Sequence, residues 1–158
     1  MTCYKYSRHF FNHEGTKPQS FLFVGSAIFR LNTMNERADQ LSGLIIGAAI
    51  EVHRCLGPGL LESAYEKALV FELQKKGLQV RTQEAVPVIY KGHDLQCNYR
   101  LDLLVEGLVI IELKSVEKLL PIHKAQVITY LKLKRLWLGL LINFNVPVLK
   151  QGIIRVVN

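Results

Sequence analysis

The most constraining feature of this sequence is a pair of apolar segments joined by a short turn. Residues 101–105 (Leu-Asp-Leu-Leu-Val) and 108–114 (Leu-Val-Ile-Ile-Glu-Leu-Lys) flank a turn at Glu106 and Gly107. Segments this rich in aliphatic residues favour β-strands, and the second is apolar on both of its faces. Such a composition is typical of a strand covered on both sides. The sequence therefore predicts a hairpin whose second strand lies at the centre of a sheet.

Three charged residues interrupt these apolar strands: Asp102, Glu112 and Lys114. A charge in apolar surroundings is costly unless it is paired, hydrogen-bonded or bound to a metal, so we expect the three side chains to meet. Asp102 and Glu112 can occupy neighbouring strands of the hairpin, and Glu112 and Lys114 share a face. Two close carboxylates repel each other unless a cation lies between them, and their hard oxygen atoms suit Mg²⁺ or Mn²⁺.

The alternative interpretation of these charges is purely structural. Lys114 could pair with Glu112 or Asp102 at the edge of the sheet without any metal, as ion pairs do in many small α/β domains. The E-x-K spacing is short and frequent, so by itself it does not decide between a metal site and an ion pair.

Helical patterns flank the predicted hairpin. Apolar residues recur at three- and four-residue steps over residues 35–55, which predicts an amphipathic helix. Strong helix formers over residues 60–76 predict a second helix that Gly77 terminates. Pro121 suits the first turn of a third helix over residues 122–135.

Further strand patterns complete the fold. Alternating apolar residues over 78–90 and 95–101, separated by a turn at 91–94, predict an antiparallel pair. Residues 137–144 predict another buried strand and residues 152–156 a short final one. The order of helix, helix, strands, helix and strand predicts an α/β (α+β) fold with a central sheet flanked by helices.

Composition limits the class of protein. With 158 residues, 49% of them hydrophobic, the chain can bury one core but is too short for two ordinary domains. Its formal net charge of +7 favours a polyanionic partner. The three cysteines show no pairing or zinc-ligand pattern, which fits a reducing cytoplasm. The longest apolar runs reach about half the roughly 20 residues of a membrane helix, so we expect no membrane span.

Residues 1–33 differ from the rest of the chain. They follow neither a helical nor a strand period, so we predict a poorly ordered N-terminal extension followed by a single domain over residues 34–158. Met34 stands where the orderly pattern begins. A translation start at Met34, with residues 1–33 an artefact of start-site assignment, is the alternative.

Longer motifs place the charged residues in a known pattern. Residues 99–102 (Tyr-Arg-Leu-Asp), followed by 110–114 (Ile-Ile-Glu-Leu-Lys), resemble the D-x(n)-E-x-K signature of the PD-(D/E)XK nuclease superfamily. Leu101 stands where the superfamily often has proline before the aspartate. The resemblance implies a restriction-endonuclease-like core with a mixed central sheet.

Two further motifs extend this resemblance over residues 36–158. Gln126 and Tyr130 lie four residues apart on one helical face and resemble the Q-x-x-x-Y motif of the RecB-like branch. Residues 59–65 (Gly-Leu-Leu-Glu-Ser-Ala-Tyr) are similar to the signature of the GxxExxY protein family, which belongs to the same superfamily.

The resemblance implies a catalytic set of four charged residues: Glu62, Asp102, Glu112 and Lys114. Asp102 and Glu112 would ligate the metal, with the backbone carbonyl of Leu113 and the carboxylate of Glu62 as further candidate ligands. Lys114 would position the attacking water or stabilise the transition state.

The remaining motif residues have supporting roles in this interpretation. Gln126 and Tyr130 would hold a phosphate of the substrate or brace Lys114 and Glu62 by hydrogen bonds. Tyr65 fits a contact with nucleic acid, a brace of the site, or a half-buried core position with a hydrated hydroxyl.

The resulting functional prediction is a Mg²⁺- or Mn²⁺-dependent phosphodiesterase that cleaves nucleic acid in the cytoplasm, DNA being favoured over RNA. One alternative is a non-catalytic nucleic-acid-binding or assembly module on a nuclease fold. Another is a toxin or defence component whose partner chain supplies specificity. A single domain offers few loops for base recognition, so a homodimer or an unidentified protein partner is also expected.

Overall fold

The structure, a computed structural model, describes the backbone of residues 19–158 and the side chains of residues 31–158. Within that range the chain forms three α-helices, five β-strands and one short 3-10 helix. In chain order these elements are α1 (Gln19–Leu56), α2 (Glu62–Lys75), β1 (Val80–Tyr90), β2 (His93–Val105), β3 (Val109–Lys114), α3 (Pro121–Lys134), β4 (Leu138–Asn143), the 3-10 helix (Leu149–Gly152) and β5 (Ile153–Val157).

The five strands form one mixed sheet in the order β1-β2-β3-β4-β5. Strands β1, β2 and β3 pair antiparallel, β3 and β4 pair parallel, and β4 and β5 pair antiparallel. A parallel pair requires a crossover connection, which α3 provides between β3 and β4. The predicted fold class, α/β (α+β) with a mixed central sheet flanked by helices, is confirmed.

Helices cover both faces of this sheet. Helices α1 and α2 pack on one face and α3 packs on the other. Successive residues of β3 therefore enter different layers: Ile111 packs with α1 and α2, and Ile110 packs with α3. Every residue of β3 except Lys114 is buried, as predicted for a central strand.

The two predicted hairpins share strand β2, which is 13 residues long. The predicted turn at 91–94 is shorter in the structure, because His93 and Asp94 already pair with β1. The two turns consist of Lys91 and Gly92 and of Glu106 and Gly107, the second as predicted. All four residues have positive φ angles, from 49° to 84°. Two successive residues with positive φ are typical of the type I′ turn that matches the twist of paired strands.

Helix α1 is longer than the apolar pattern predicted. The pattern indicated a helix over residues 35–55, whereas α1 begins at Gln19 and ends at Leu56. Residues 1–18 lie outside the described part of the chain, so the domain boundary between residues 33 and 34 stays a prediction. Among the helices that the structure describes, none is both long enough and apolar enough to span a bilayer.

Helix α3 approaches the sheet most closely at Gly139 of β4. A Cβ atom on Gly139 would lie 2.6 Å from Cγ1 of Val127, a fully buried residue of α3. Valine is branched at Cβ and cannot rotate its methyl groups away freely. The absence of a side chain at Gly139 therefore allows α3 to lie against the strand next to the E-x-K segment.

We predict that Gly139→Ala lowers the free energy of unfolding by about 1–3 kcal/mol, because the added methyl overpacks the contact with α3. Urea denaturation measures this change. Gly47→Ala is the matched control, because Gly47 lies in α1 and a Cβ atom added there would meet nothing within 4 Å. Replacing a helical glycine in open space should raise stability by about 0.5–1 kcal/mol. Equal effects of the two substitutions would contradict the packing argument.

Candidate active site

The candidate site forms where strands β2 and β3 separate. Their pairing ends at Leu103 and Ile111, and the same register continued would place Asp102 opposite Glu112. The Asp102 carboxylate lies in the gap, where its Oδ2 accepts a hydrogen bond of 2.8 Å from the backbone N–H of Leu113. The side chain thus satisfies a backbone donor that a paired strand would otherwise satisfy.

The alternation of β2 also breaks at Asp102. Leu101 and Leu103 should face the same side of the sheet. Instead Leu101 packs in the layer of α3 and Leu103 in the layer of α1 and α2. On the neighbouring strand, Gln83 has a φ of 51° at the position between the partners of these two leucines. This irregularity accompanies the turn of the Asp102 side chain into the gap between β2 and β3.

Glu112 and Lys114 form a close ion pair beside this gap. Lys114 Nζ donates to Glu112 Oε1 at 2.6 Å, and the Glu112 side chain is only 3% exposed. The other oxygen, Glu112 Oε2, is buried and has no hydrogen-bond partner among the described residues. A buried acceptor without a partner is costly, so this oxygen is available for a ligand.

Burial and neighbouring negative charges disfavour the charged forms of the two carboxylates. Burial, followed by the negative charge of Asp102, raises the pKa of Glu112 to about 7. Burial also raises the pKa of Asp102, although the Leu113 N–H and the Lys114 ammonium oppose the change. Burial lowers the pKa of Lys114, but the hydrogen bond and charge of Glu112 outweigh it and the net direction is upward. Lys114 therefore stays protonated at neutral pH.

Glu62 reaches this region from the first position of α2. Its Oε1 accepts a hydrogen bond of 2.9 Å from the backbone N–H of Ser115, the residue after the E-x-K segment. The Ser115 hydroxyl donates to the carbonyl of Leu60 at 2.6 Å. These two bonds join the end of β3 to the beginning of α2. The charge of Glu62 is among those that raise the pKa values of Asp102 and Glu112.

Tyr65 braces the loop that precedes Glu62. Its hydroxyl donates to the Gly57 carbonyl at 2.6 Å and accepts from the Leu60 N–H at 3.1 Å. Its fully buried ring stacks on Phe144, with 4.3 Å between ring centroids. The expectation of a half-buried ring was wrong, because stacking on Phe144 buries the ring completely, and the hydroxyl bonds to backbone groups of the loop.

Gln126 and Tyr130 bond to each other on α3. Gln126 Nε2 donates to the Tyr130 hydroxyl oxygen at 2.6 Å. Burial raises the pKa of Tyr130, and the charges of Glu112 and Asp102 raise it further, so the phenol lies near both carboxylates. The structure places this pair beside the site without a hydrogen bond from either residue to Lys114 or Glu62 within the described range.

A metal would have to be held largely by Asp102 and Glu112. In the described part of the chain no group of three or more His, Cys, Asp or Glu side chains is arranged to hold an ion. Mg²⁺ does not need such a group, because it retains several waters and is commonly bound by one or two carboxylates together with substrate phosphates. Glu112 Oε2 has no partner within the described range, and Asp102 is near enough for its charge to raise the pKa of Glu112, so the two carboxylates fit this kind of hydrated ion.

Sequence reasoning assigned no role to Asn143, the last residue of β4. Asn143 is 2% exposed, and its side chain bonds to both polar groups of the Val116 backbone. Its Nδ2 donates to the carbonyl at 2.8 Å, and its Oδ1 accepts from the N–H at 3.1 Å. The Phe144 N–H donates to the Lys114 carbonyl at 2.8 Å. The segment after Lys114 is thereby fixed to β4. A single polar residue ending an otherwise apolar strand was the available signal.

A family model described as the PD-(D/E)XK nuclease superfamily matches residues 39–156. This chain belongs to the PD-(D/E)XK nuclease superfamily. The match includes every residue of the site described above. Superfamily members generally use divalent metal ions, which agrees with the oxygen ligands offered by Asp102 and Glu112. No curated protein and no solved structure matched the chain.

The buried Glu112 of this superfamily member should make its stability depend on pH when no divalent metal is present. Between pH 4.5, the ordinary pKa, and about 7, the unfolded chain releases a proton that the folded chain retains at Glu112. The unfolded state therefore gains stability relative to the folded state as pH rises through this window. We predict that the free energy of unfolding of the wild type falls by about 2 kcal/mol between these pH values and that Glu112→Gln abolishes this fall.

Urea denaturation in EDTA at pH 4.5 and pH 7.5 tests this prediction. The stability difference between Glu112→Gln and wild type should move in favour of the variant at the higher pH. Glu117→Gln, which changes an exposed glutamate in the following loop, is the control for general charge effects. A difference between Glu112→Gln and wild type that does not change with pH would refute the assignment.

Asn143→Ala should lower the free energy of unfolding by about 2–4 kcal/mol, because it leaves both backbone groups of Val116 without their partner. Thermal and urea unfolding measure the loss. The exposed Asn98→Ala serves as control and should stay within about 0.5 kcal/mol of wild type. Equal stability of the two variants would show that the amide does not hold the segment.

Proposed function

We propose that this protein is a Mg²⁺-dependent nuclease that hydrolyses phosphodiester bonds in nucleic acid, with DNA favoured over RNA. The observation that carries the proposal is the pair of carboxylates in the gap between β2 and β3. Asp102 and Glu112 are brought together there beside a protonated lysine, and one buried oxygen of Glu112 has no partner among the described residues.

Each residue has a distinct part in the proposed reaction. Mg²⁺ held by Asp102 and Glu112, with the Leu113 carbonyl as a further candidate ligand, would polarise the phosphoryl group and acidify a bound water. Lys114 is protonated and so cannot accept the proton of that water. Its ammonium group instead donates hydrogen bonds to the attacking water or to the phosphoryl oxygens, where negative charge develops.

Glu62 supplies the third carboxylate. One of its oxygens is occupied by the Ser115 N–H, which fixes the orientation of the group and leaves the other oxygen for a metal-bound water. Tyr65 holds the loop on the other side of Glu62 in place. We therefore assign Glu62 to the catalytic set and Tyr65 to its support.

The alternative function is binding without cleavage. Phosphates carry negative charge, so a surface that only binds them gains nothing from three neighbouring carboxylates and is better served by lysine and arginine. The cluster of Glu62, Asp102 and Glu112 therefore favours an enzyme that uses a metal over a passive binding module.

We further propose that the chain falls within the GxxExxY branch of the superfamily. All three defining positions of that motif have a use in this fold. Gly59 has a φ of 97°, Glu62 meets the end of β3, and Tyr65 closes the loop between them. A cytoplasmic location and action as a homodimer or with a protein partner complete the proposal.

The nuclease proposal predicts metal-dependent cleavage of labelled nucleic acid by the full chain. With Mg²⁺ or Mn²⁺ the wild type should cut DNA, and EDTA should abolish the activity. Glu112→Ala and Lys114→Ala should each lower the cleavage rate at least about 100-fold. The first variant loses a metal ligand, and the second loses the positive charge that stabilises the transition state. Lys75→Ala, which changes an exposed lysine in the last turn of α2, is the control and should keep most of the activity.

Metal binding and catalysis can be separated by thermal unfolding. Mg²⁺ should raise the melting temperature of the wild type and of Lys114→Ala but not that of Glu112→Ala, because only the last variant loses a ligand. Wild-type protein that binds DNA without cutting it, with affinity unchanged in Glu112→Ala, would replace the nuclease proposal by the binding-module alternative.

A further inference from the structure

An exposed aromatic ring lies beside the proposed active site. Tyr99 is three residues before Asp102 on β2, a separation of about 10 Å along a strand. Its side chain is 44% exposed and meets the ring of Tyr130 edge-on, with 5.5 Å between centroids. Tyr130 is buried and hydrogen-bonded to Gln126. Tyr99 is thus held against a buried residue near the carboxylates and stays partly exposed to solvent.

Exposed aliphatic side chains occupy the chain segments on either side of the catalytic residues. Four of them, exposed by 40% to 78%, lie at the beginnings of α2 and α3: Leu60, Leu61, Leu120 and Ile122. The first two directly precede Glu62. A duplex offers proteins mainly its phosphates, which lysine and arginine contact. Unpaired bases instead expose flat apolar faces, which aromatic and apolar side chains contact.

We propose that the nuclease acts on single-stranded DNA and that Tyr99 stacks on a nucleobase next to the scissile phosphate. This inference rests on the proposed function and specifies its substrate. Every base has a face that can stack, so one tyrosine can hold the strand without reading its sequence. Lys118 and Lys124, both exposed between β3 and the first turns of α3, supply positive charge for the backbone.

Tyr99 is a substrate-binding residue in this proposal. Its ring contacts Tyr130. Within the described residues, Tyr99 forms no hydrogen bond to Asp102, Glu112 or Lys114. Loss of the ring should therefore weaken binding of a single strand and raise KM more than it lowers kcat. Loss of the hydroxyl alone should matter little, because the stacking face belongs to the ring.

Fluorescence anisotropy with a labelled single strand and with its duplex tests the substrate preference. The measurements use full-length protein in the Lys114→Ala background with Mg²⁺, which keeps the metal ligands and prevents cleavage. Tyr99→Leu should weaken single-strand binding about tenfold or more, and Tyr99→Phe should stay within about twofold of the parent. Duplex binding should be weaker in the parent and unchanged in both variants.

Tyr90→Leu is the matched control for this series. Tyr90 is 59% exposed and lies at the far end of the same pair of strands, where Lys91 covers its ring. Its replacement should leave single-strand affinity unchanged. Equal losses in Tyr90→Leu and Tyr99→Leu, or equal losses in Tyr99→Phe and Tyr99→Leu, would overturn the assignment of a stacking site to Tyr99.

Strands that carry 2-aminopurine at successive positions give a readout that a structural role would not produce. Stacking on Tyr99 should quench the fluorescence of the base at one position next to the cleavage site, and Tyr99→Leu should restore it. Metal-dependent cleavage of a duplex at least as fast as of a single strand would overturn this inference and leave the nuclease proposal intact. If the protein neither binds nor cleaves single-stranded or duplex DNA, both this inference and the nuclease proposal are overturned. A protein partner for the apolar side chains would then be favoured.

Discussion

The site depends on one hydrogen bond, from the backbone N–H of Leu113 to the Asp102 carboxylate. It forms where β2 leaves β3, so a side chain takes over a donor that strand pairing no longer satisfies. Because Asp102 is held in the plane of the sheet, its carboxylate meets Glu112 in the gap. The gap itself exists because the ladder stops at Leu103 and Ile111.

The fold carries this arrangement at a cost to its own stability. Two carboxylates share a largely buried gap, where burial and neighbouring negative charges disfavour the charged form of each. Lys114 offsets part of this repulsion, and the packed layers on both faces of β3 hold the strand in place regardless. Unfavourable electrostatics of this kind mark functional sites more often than structural ones, because a ligand of opposite charge can relieve them. The rigid centre of the sheet thus holds the groups in position for such a ligand.

Local sequence patterns predicted the parts of this protein that depend on local chemistry. The apolar hairpin with its three charges was sufficient to predict that Asp102, Glu112 and Lys114 meet, and the turns at Gly92 and Gly107 followed from residue type. Glu62 was identified only through a family motif, because its partner, the N–H of Ser115, is 53 positions away. Asn143 was missed because it bonds to backbone groups of Val116, and every residue carries such groups. The break in alternation at Asp102 had no sequence signal that simple periodicity could detect.

The bond between Glu62 and Ser115 also relates activity to folding. It joins two segments that are far apart in the chain, and loop closure over such a distance is usually favourable only after the surrounding layers have packed. The strands that carry Asp102 and Glu112 are neighbours in sequence and pair across the short turn at Glu106 and Gly107. The third carboxylate joins them only when α2 docks on the sheet. The complete set of acids therefore appears together with the finished tertiary structure, and a chain that has folded only in part lacks it.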